Sequence, residues 1–158
     1  VDAILRKKSA ADNDTEWKPL AVLQTAVNLS ASVVGTAAKH CGFGATAVIT
    51  PTASGKVMVR VIVGIFSTSG GAYFSLGAAR FGTGAAPGAG AAATGTAFGN
   101  AIQSPVASAA GVLTYAECSQ ILTLAVGTQY WFDLVMQGSN AAATANAQNA
   151  QVIAIELP

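Results

Sequence analysis

The sequence predicts an all-β protein: an antiparallel β-sandwich of the jelly-roll kind, preceded by an extended N-terminal arm. Three observations carry that prediction. From about residue 20 onward, apolar residues recur with a period of two, the spacing of a sheet with one buried face. The alternating segments are short, about eight in number, and separated by clusters of Gly, Pro, Ser, Thr and Asn, the pattern of sandwiches. Seventeen glycines, 52% hydrophobic residues and only 7% aromatics suit a thin-walled β protein better than a helical bundle. With 158 residues the chain fits one domain, long enough to fold without a disulfide or metal staple.

The elements follow in order. Asp2, Arg6, Lys7, Lys8, Asp12, Asp14, Glu16 and Lys18 crowd the first 20 residues, and only seven charged residues follow, so residues 1–19 are expected to form a polar arm and residues 20–158 the packed domain. Ile4, Leu5 and Trp17 have little use in a solvated tail, so the arm is expected to dock, with Ile4, Leu5 and Trp17 as apolar anchors and Arg6, Lys7 and Lys8 as charge contacts. The clearest strand is Lys56-Val-Met-Val-Arg-Val-Ile-Val-Gly-Ile-Phe66, in which Val57, Val59, Val61, Val63 and Ile65 form a wholly β-branched face. Residues 128–137 alternate too, with Tyr130, Phe132, Leu134 and Met136 on one face. The last strand, 151–157, is expected to bury Ile153, Ile155 and Leu157 and to leave Ala154 and Glu156 outside.

Weaker strands are expected at 22–34, 45–50, 72–81, 96–103, 112–116 and 119–125. The stretches 82–95 (Gly, Ala, Thr) and 140–151 (Ala, Asn, Thr, Gln) read as loops. Gly127 and Tyr130 fit a corner in which glycine turns the chain and the tyrosine hydroxyl bonds back to nearby backbone, or simply a turn beside a core tyrosine.

Little in the sequence points to chemistry. One histidine and seven carboxylates leave few parts for acid–base catalysis, and an enzyme is not expected. His40 and Cys41 are adjacent, which on a strand sends their side chains to opposite faces. Asp12-Asn-Asp-Thr-Glu16 opens like a calcium loop, but Trp17 stands where glycine is needed and Leu23 where a bidentate glutamate belongs. The glycines at 82–90 lack the Lys-Ser/Thr of a phosphate loop. No cofactor or metal is expected. Cys41 and Cys118 are expected to be free and buried, with a bridge across the sandwich as the alternative. Asp133 and Glu156 would pair if their strands were neighbours. Arg60 and Arg80 are conspicuous in so charge-poor a domain; with Glu117, Asp133 and Glu156 they are candidates for inter-subunit ion pairs, or else they reach water at a rim. A net charge of +1 implies neither nucleic acid nor a membrane surface as partner, and no apolar run reaches the roughly 18 residues of a membrane span. The opening residues lack the order of a secretory signal, so an intracellular site of synthesis is expected.

The segment from Leu5 to Pro19 resembles a short stretch found in tailed-bacteriophage fibre and appendage proteins, at Leu5, Lys7, Ser9, Asp12, Asp14 and Trp17. The rest resembles small phage virion modules of tumour-necrosis-factor-like jelly-roll type. The similar pieces are Ala78-Ala-Arg-Phe-Gly-Thr-Gly-Ala-Ala-Pro87, Gly95-Thr-Ala-Phe-Gly99, Leu124-Ala-Val-Gly-Thr-Gln-Tyr-Trp-Phe-Asp-Leu134 and Val152-Ile-Ala-Ile-Glu-Leu157. The resemblance implies a homotrimeric, non-enzymatic virion protein. Such modules serve either as cement or decoration proteins on the major capsid protein or as fibre tips that bind a host receptor. With no heptad or collagen-like shaft in the sequence, a capsid-surface cement protein is the first expectation and a receptor-binding adhesin the second.

Overall fold

The computed structural model describes residues 3–7, 15–25, 29–68, 74–104 and 111–158, with the backbone alone for 3–7 and 15–18. Strands β1 (Ala3–Lys7) and β2 (Thr15–Pro19) pair as an antiparallel ribbon, with Leu5 opposite Trp17 and Arg6 opposite Glu16 in register. The N-terminal segment is thus extended backbone folded on itself. Lys8, Ser9, Asp12 and Asp14, and with them the first three residues of the calcium-like run, lie outside the described residues, as do the side chains of Ile4, Leu5, Arg6, Lys7 and Trp17.

Two antiparallel sheets make the body. The front sheet holds β3 (Val22–Gln24), β4 (Leu29–Val34), β7 (Lys56–Ser67), β10 (Thr114–Thr123) and β12 (Thr144–Glu156), in the order β10-β7-β12-β3 with β4 also on β12. The back sheet holds β5 (Lys39–His40), β6 (Val48–Ile49), β8 (Ser75–Thr83), β9 (Thr96–Gln103) and β11 (Tyr130–Gly138), in the order β9-β8-β11-β5 with β6 also on β11. β7 is the strand that the alternation predicts. Val57, Val59, Val61, Val63 and Ile65 are all 0–2% exposed, and burying each such side chain contributes roughly 1.5–3 kcal/mol. Facing them from the back sheet are Phe132, Leu134 and Met136 of β11 and an edge-to-face cluster of Phe81, Phe98 and Phe132.

Several expectations need correction. Residues 144–151 are not loop: β12 begins at Thr144 and pairs with both β4 and β7. Alanine, asparagine and glutamine have weak strand preference, but here Ala145, Ala147 and Ala150 face the core, where β12 needs small side chains between two sheets. The inward face of the last strand is also reversed. Val152, Ala154 and Glu156 are buried, while Ile153, Ile155 and Leu157 are half-buried on the other side. The expected strand at 45–50 is a short 3-10 turn, Phe43–Ala45, followed by the two residues of β6. The segments 112–116 and 119–125 are instead joined in β10, because Glu117 faces outward and nothing between them turns the chain. The stretch 22–34 is divided into β3 and β4, with residues 26–28 outside the described residues.

The corner at Tyr130 forms: Ala125 N–H donates to the Tyr130 hydroxyl at 3.1 Å, and Gly127 turns the chain at φ +80°. Cys41 and Cys118 are free and buried. Gly99, at φ +64°, lies so close to Cys118 that an added Cβ would stand 2.1 Å from the sulfur. Gly99→Ala is therefore expected to lower the free energy of unfolding by roughly 2 kcal/mol in equilibrium denaturation, from left-handed strain and overpacking together.

Candidate interaction surfaces and buried polar centres

The outward side of the front sheet is unusually apolar for a surface. The registers align Ile121 of β10, Met58 of β7, Ile155 of β12 and Val22 of β3 in one row across four strands. Ile62, Phe66, Tyr115 and Ile153 extend the patch. Val22, Tyr115 and Ile121 are 67%, 61% and 58% exposed. In the middle stands Arg60, whose Nη2 donates to Glu117 Oε2 at 2.5 Å, with both side chains half-exposed. The hydrogen bond to Glu117 and the charge of that carboxylate raise the Arg60 pKa. Of the charged residues singled out in the sequence, these two form an ion pair within one chain.

Asp133 and Glu156 do not meet, since β11 and β12 belong to different sheets. Each is wholly buried as the acceptor at the heart of its own backbone network, so both find their partners inside the protomer. Asp133 lies on the side of β11 away from the core, under the segment from His40 to Ala47. Its Oδ1 accepts from the N–H of Phe43 (3.0 Å) and Leu134 (2.7 Å), and its Oδ2 from Gly42 N–H (3.1 Å) and His40 Nδ1 (3.0 Å). Burial pushes the Asp133 carboxyl up in pKa, against the pull of the three backbone N–H groups and of His40.

His40 Nε2 accepts from Thr94 N–H at 3.0 Å, which assigns the ring proton to Nδ1 and makes the imidazole neutral. Trp131 packs edge-on to the ring, 5.6 Å between centroids. His40 thus ties the 84–95 segment to β11. No signal in the sequence marked this pair, because its two members are 93 residues apart and each stands alone in an apolar context.

Both nitrogens of His40 are therefore engaged away from Cys41. The Cys41 thiol is held far above its ordinary pKa by burial and by the charge of Asp133, which leaves it protonated and unreactive.

Glu156 is the second buried acceptor, at the end of β12. Its Oε1 accepts from Ala53 N–H (2.8 Å) and Gly55 N–H (2.9 Å), and its Oε2 from Thr52 N–H (2.9 Å), Ala21 N–H (3.1 Å) and the Thr52 hydroxyl (3.2 Å). Burial works against ionisation, but the donors from Gly55, Thr52, Ala21 and Ala53 outweigh it and hold the pKa at about 2. One carboxylate thereby fixes the 52–55 turn, the end of β12 and the backbone just after the N-terminal ribbon. Arg80 lies on the outer side of β8 and donates from Nη1 to the carbonyls of Gly95 (2.8 Å) and Thr94 (3.4 Å).

No protein-family model matches the chain, and no curated protein matches it. Among solved structures, the Eiger TNF of S. frugiperda superposes with a TM-score of 0.52 at 10% identity, over 89% of this chain and 94% of that one. A structure of infectious bursal disease virus, Gx strain, superposes with a TM-score of 0.46 at 12% identity, over 99% of this chain and 36% of that one. The likeness to Eiger, together with the two five-stranded antiparallel sheets, defines the fold as a TNF-like jelly-roll sandwich.

Proposed function

We propose that the protein is a non-enzymatic capsid cement protein of a tailed bacteriophage. In this reading the bodies form a homotrimer through the apolar front sheet, and residues 1–19 bind the major capsid protein at the virion surface. The observation that carries the reading is the four-strand apolar row of Ile121, Met58, Ile155 and Val22. Monomeric proteins rarely present a contiguous patch of this kind to water. Self-association covers it, and the Arg60–Glu117 pair in its midst then fixes how the copies register, a role for which desolvated charges are well suited. That the copies number three rests on the resemblance of the sequence to trimeric virion modules. Joining three arms in one particle multiplies effective concentration, so modest contacts per arm give firm attachment to a shell.

Two experiments test this. Met58→Glu places a charge on an outward position of the row. It is expected to weaken self-association at least about tenfold in sedimentation equilibrium while circular dichroism stays unchanged. A wild-type protein that sediments as a 15.7 kDa monomer would refute the trimer. Removing residues 1–19 is expected to leave the trimer intact and abolish binding to shells stripped of the protein. Undiminished occupancy would refute the arm as anchor, and adsorption to host cells without shell binding would identify a receptor-binding module instead.

A further inference from the structure

Arg80 differs from the other arginine of the body. Arg60 has a carboxylate partner; among the described residues, Arg80 has none. Its register position on β8 is directly across from Asp133. The Asp133 oxygens, however, are filled by His40, Gly42, Phe43 and Leu134. The Arg80 guanidinium spends only Nη1 on two neutral carbonyls, and its Nε is buried without a hydrogen-bond partner. A guanidinium presents five donors in a planar fork, which matches a carboxylate in two-pronged fashion.

Beside it is a hollow of about 250 Å³ on the outer side of the back sheet, lined by Leu76, Ala78, Ala101, Val135 and Gln137 as well as Arg80. The hollow follows from the local sequence. Leu76, Ala78 and Arg80 share the outward side of β8 by alternation, in register with Gln137, Val135 and Asp133 of β11, and small side chains at Ala78 and Ala101 leave the space. Its volume is below the roughly 300–1,000 Å³ of sites that enclose a free small molecule. It suits one or two side chains of a protein instead.

We propose that this hollow docks an acidic side chain of a partner protein together with the aliphatic residue beside it. The carboxylate lies on the Arg80 guanidinium and the aliphatic group on Leu76 and Val135. None of its lining residues belongs to the front sheet or to residues 1–19, so it stands or falls independently of the shell-binding role.

The test is an NMR titration of the ¹⁵N-labelled full-length protein with the capped dipeptide acetyl-Leu-Glu-amide, with acetyl-Leu-Gln-amide as control. The acidic probe is expected to shift the Arg80 Hε resonance and the amides of Ala78, Ala101 and Gln137, saturating on the order of millimolar, as suits so small a ligand. The neutral probe is expected to bind at least about tenfold more weakly, and Arg80→Gln to lose the preference. Ala101→Leu fills the hollow from an exposed position and leaves Arg80 in place, so it is expected to abolish the shifts in a protein that still folds. Absence of saturable shifts, equal response to the two probes, or unchanged binding by the Ala101→Leu protein would overturn the proposal.

Discussion

Asp133→Ala is expected to lower the free energy of unfolding by about 4 kcal/mol or more, enough to leave much of the protein unfolded at 37 °C. The reason is the number of donors that it would strand. Four N–H groups point at this carboxylate, three from the backbone and one from His40; those of His40, Gly42 and Phe43 come from the segment that covers β11 and that of Leu134 from β11 itself. A buried donor left without a partner costs about 1–3 kcal/mol, and the whole stability of a domain is only about 5–15 kcal/mol. Asp133→Asn keeps one acceptor oxygen and sets an NH₂ group against N–H donors, so its effect is expected to be intermediate. His40→Ala leaves the carboxylate three of its four donors and also frees Thr94 N–H, and a loss of about 3 kcal/mol is expected. Urea unfolding at one fixed protein concentration measures all three, since association shifts the midpoint by mass action. A change under 1 kcal/mol for Asp133→Ala would show that water replaces the carboxylate cheaply and that the centre is not structural.

The sheets were legible in the sequence where side chains alone decide the conformation. Val57 to Ile65 alternates β-branched residues with mixed ones, and no other arrangement buries the first set together. Tyr130 to Met136 was legible for the same reason, although its other face is buried as well, since the chain from His40 to Ala47 covers it. β12 was not legible. Its core positions are alanines, whose burial gains little, and its extended form is imposed by pairing with β4 and β7 on either side. The one trace was the alternation of Ala145 and Ala147 with Asn146 and Gln148.

The two buried carboxylates were invisible for a different reason. Buried acids look forbidden in a strand pattern, and what makes them tolerable is backbone N–H groups from distant segments, which carry no sequence signature. Of the candidate interaction residues, Arg60 and Glu117 fell on a common outward face, and the apolar row around them was half-visible as the mixed face of Lys56 to Phe66. Its extension through Ile121, Ile155 and Val22 depends on strand order.

Glu156 gives the second large effect, and it is one of pH. The carboxyl titrates at about 2 in the folded chain, against about 4.3 for glutamate in an unfolded one. A depressed folded-state pKa means that the stabilisation is fully present above the unfolded value and is lost as pH falls toward the folded one. From about pH 5 downward the unfolded state takes up the proton first, and the native state loses ground until both are protonated below about pH 2. Linkage sets the total at about 3 kcal/mol, roughly half to two-thirds of it gone by pH 3. Other carboxylates contribute acid sensitivity too, so the measurement is a difference: urea midpoints of wild type and Glu156→Gln, from pH 6 to pH 3. At pH 6 the variant is expected to be less stable by about 2–4 kcal/mol, because an amide cannot accept from all five donors. As the pH drops, the wild type is expected to fall toward the variant and the gap to close by about 2 kcal/mol. Parallel curves would mean that Glu156 titrates at the same pH in the folded and unfolded chain, and that its backbone donors do not depress it. The same comparison bears on the N-terminal ribbon, because Ala21 N–H is one of the donors released. Amide exchange at Ala21 is expected to quicken in step with the loss of stability if this carboxylate is what fixes the root of residues 1–19 to the body.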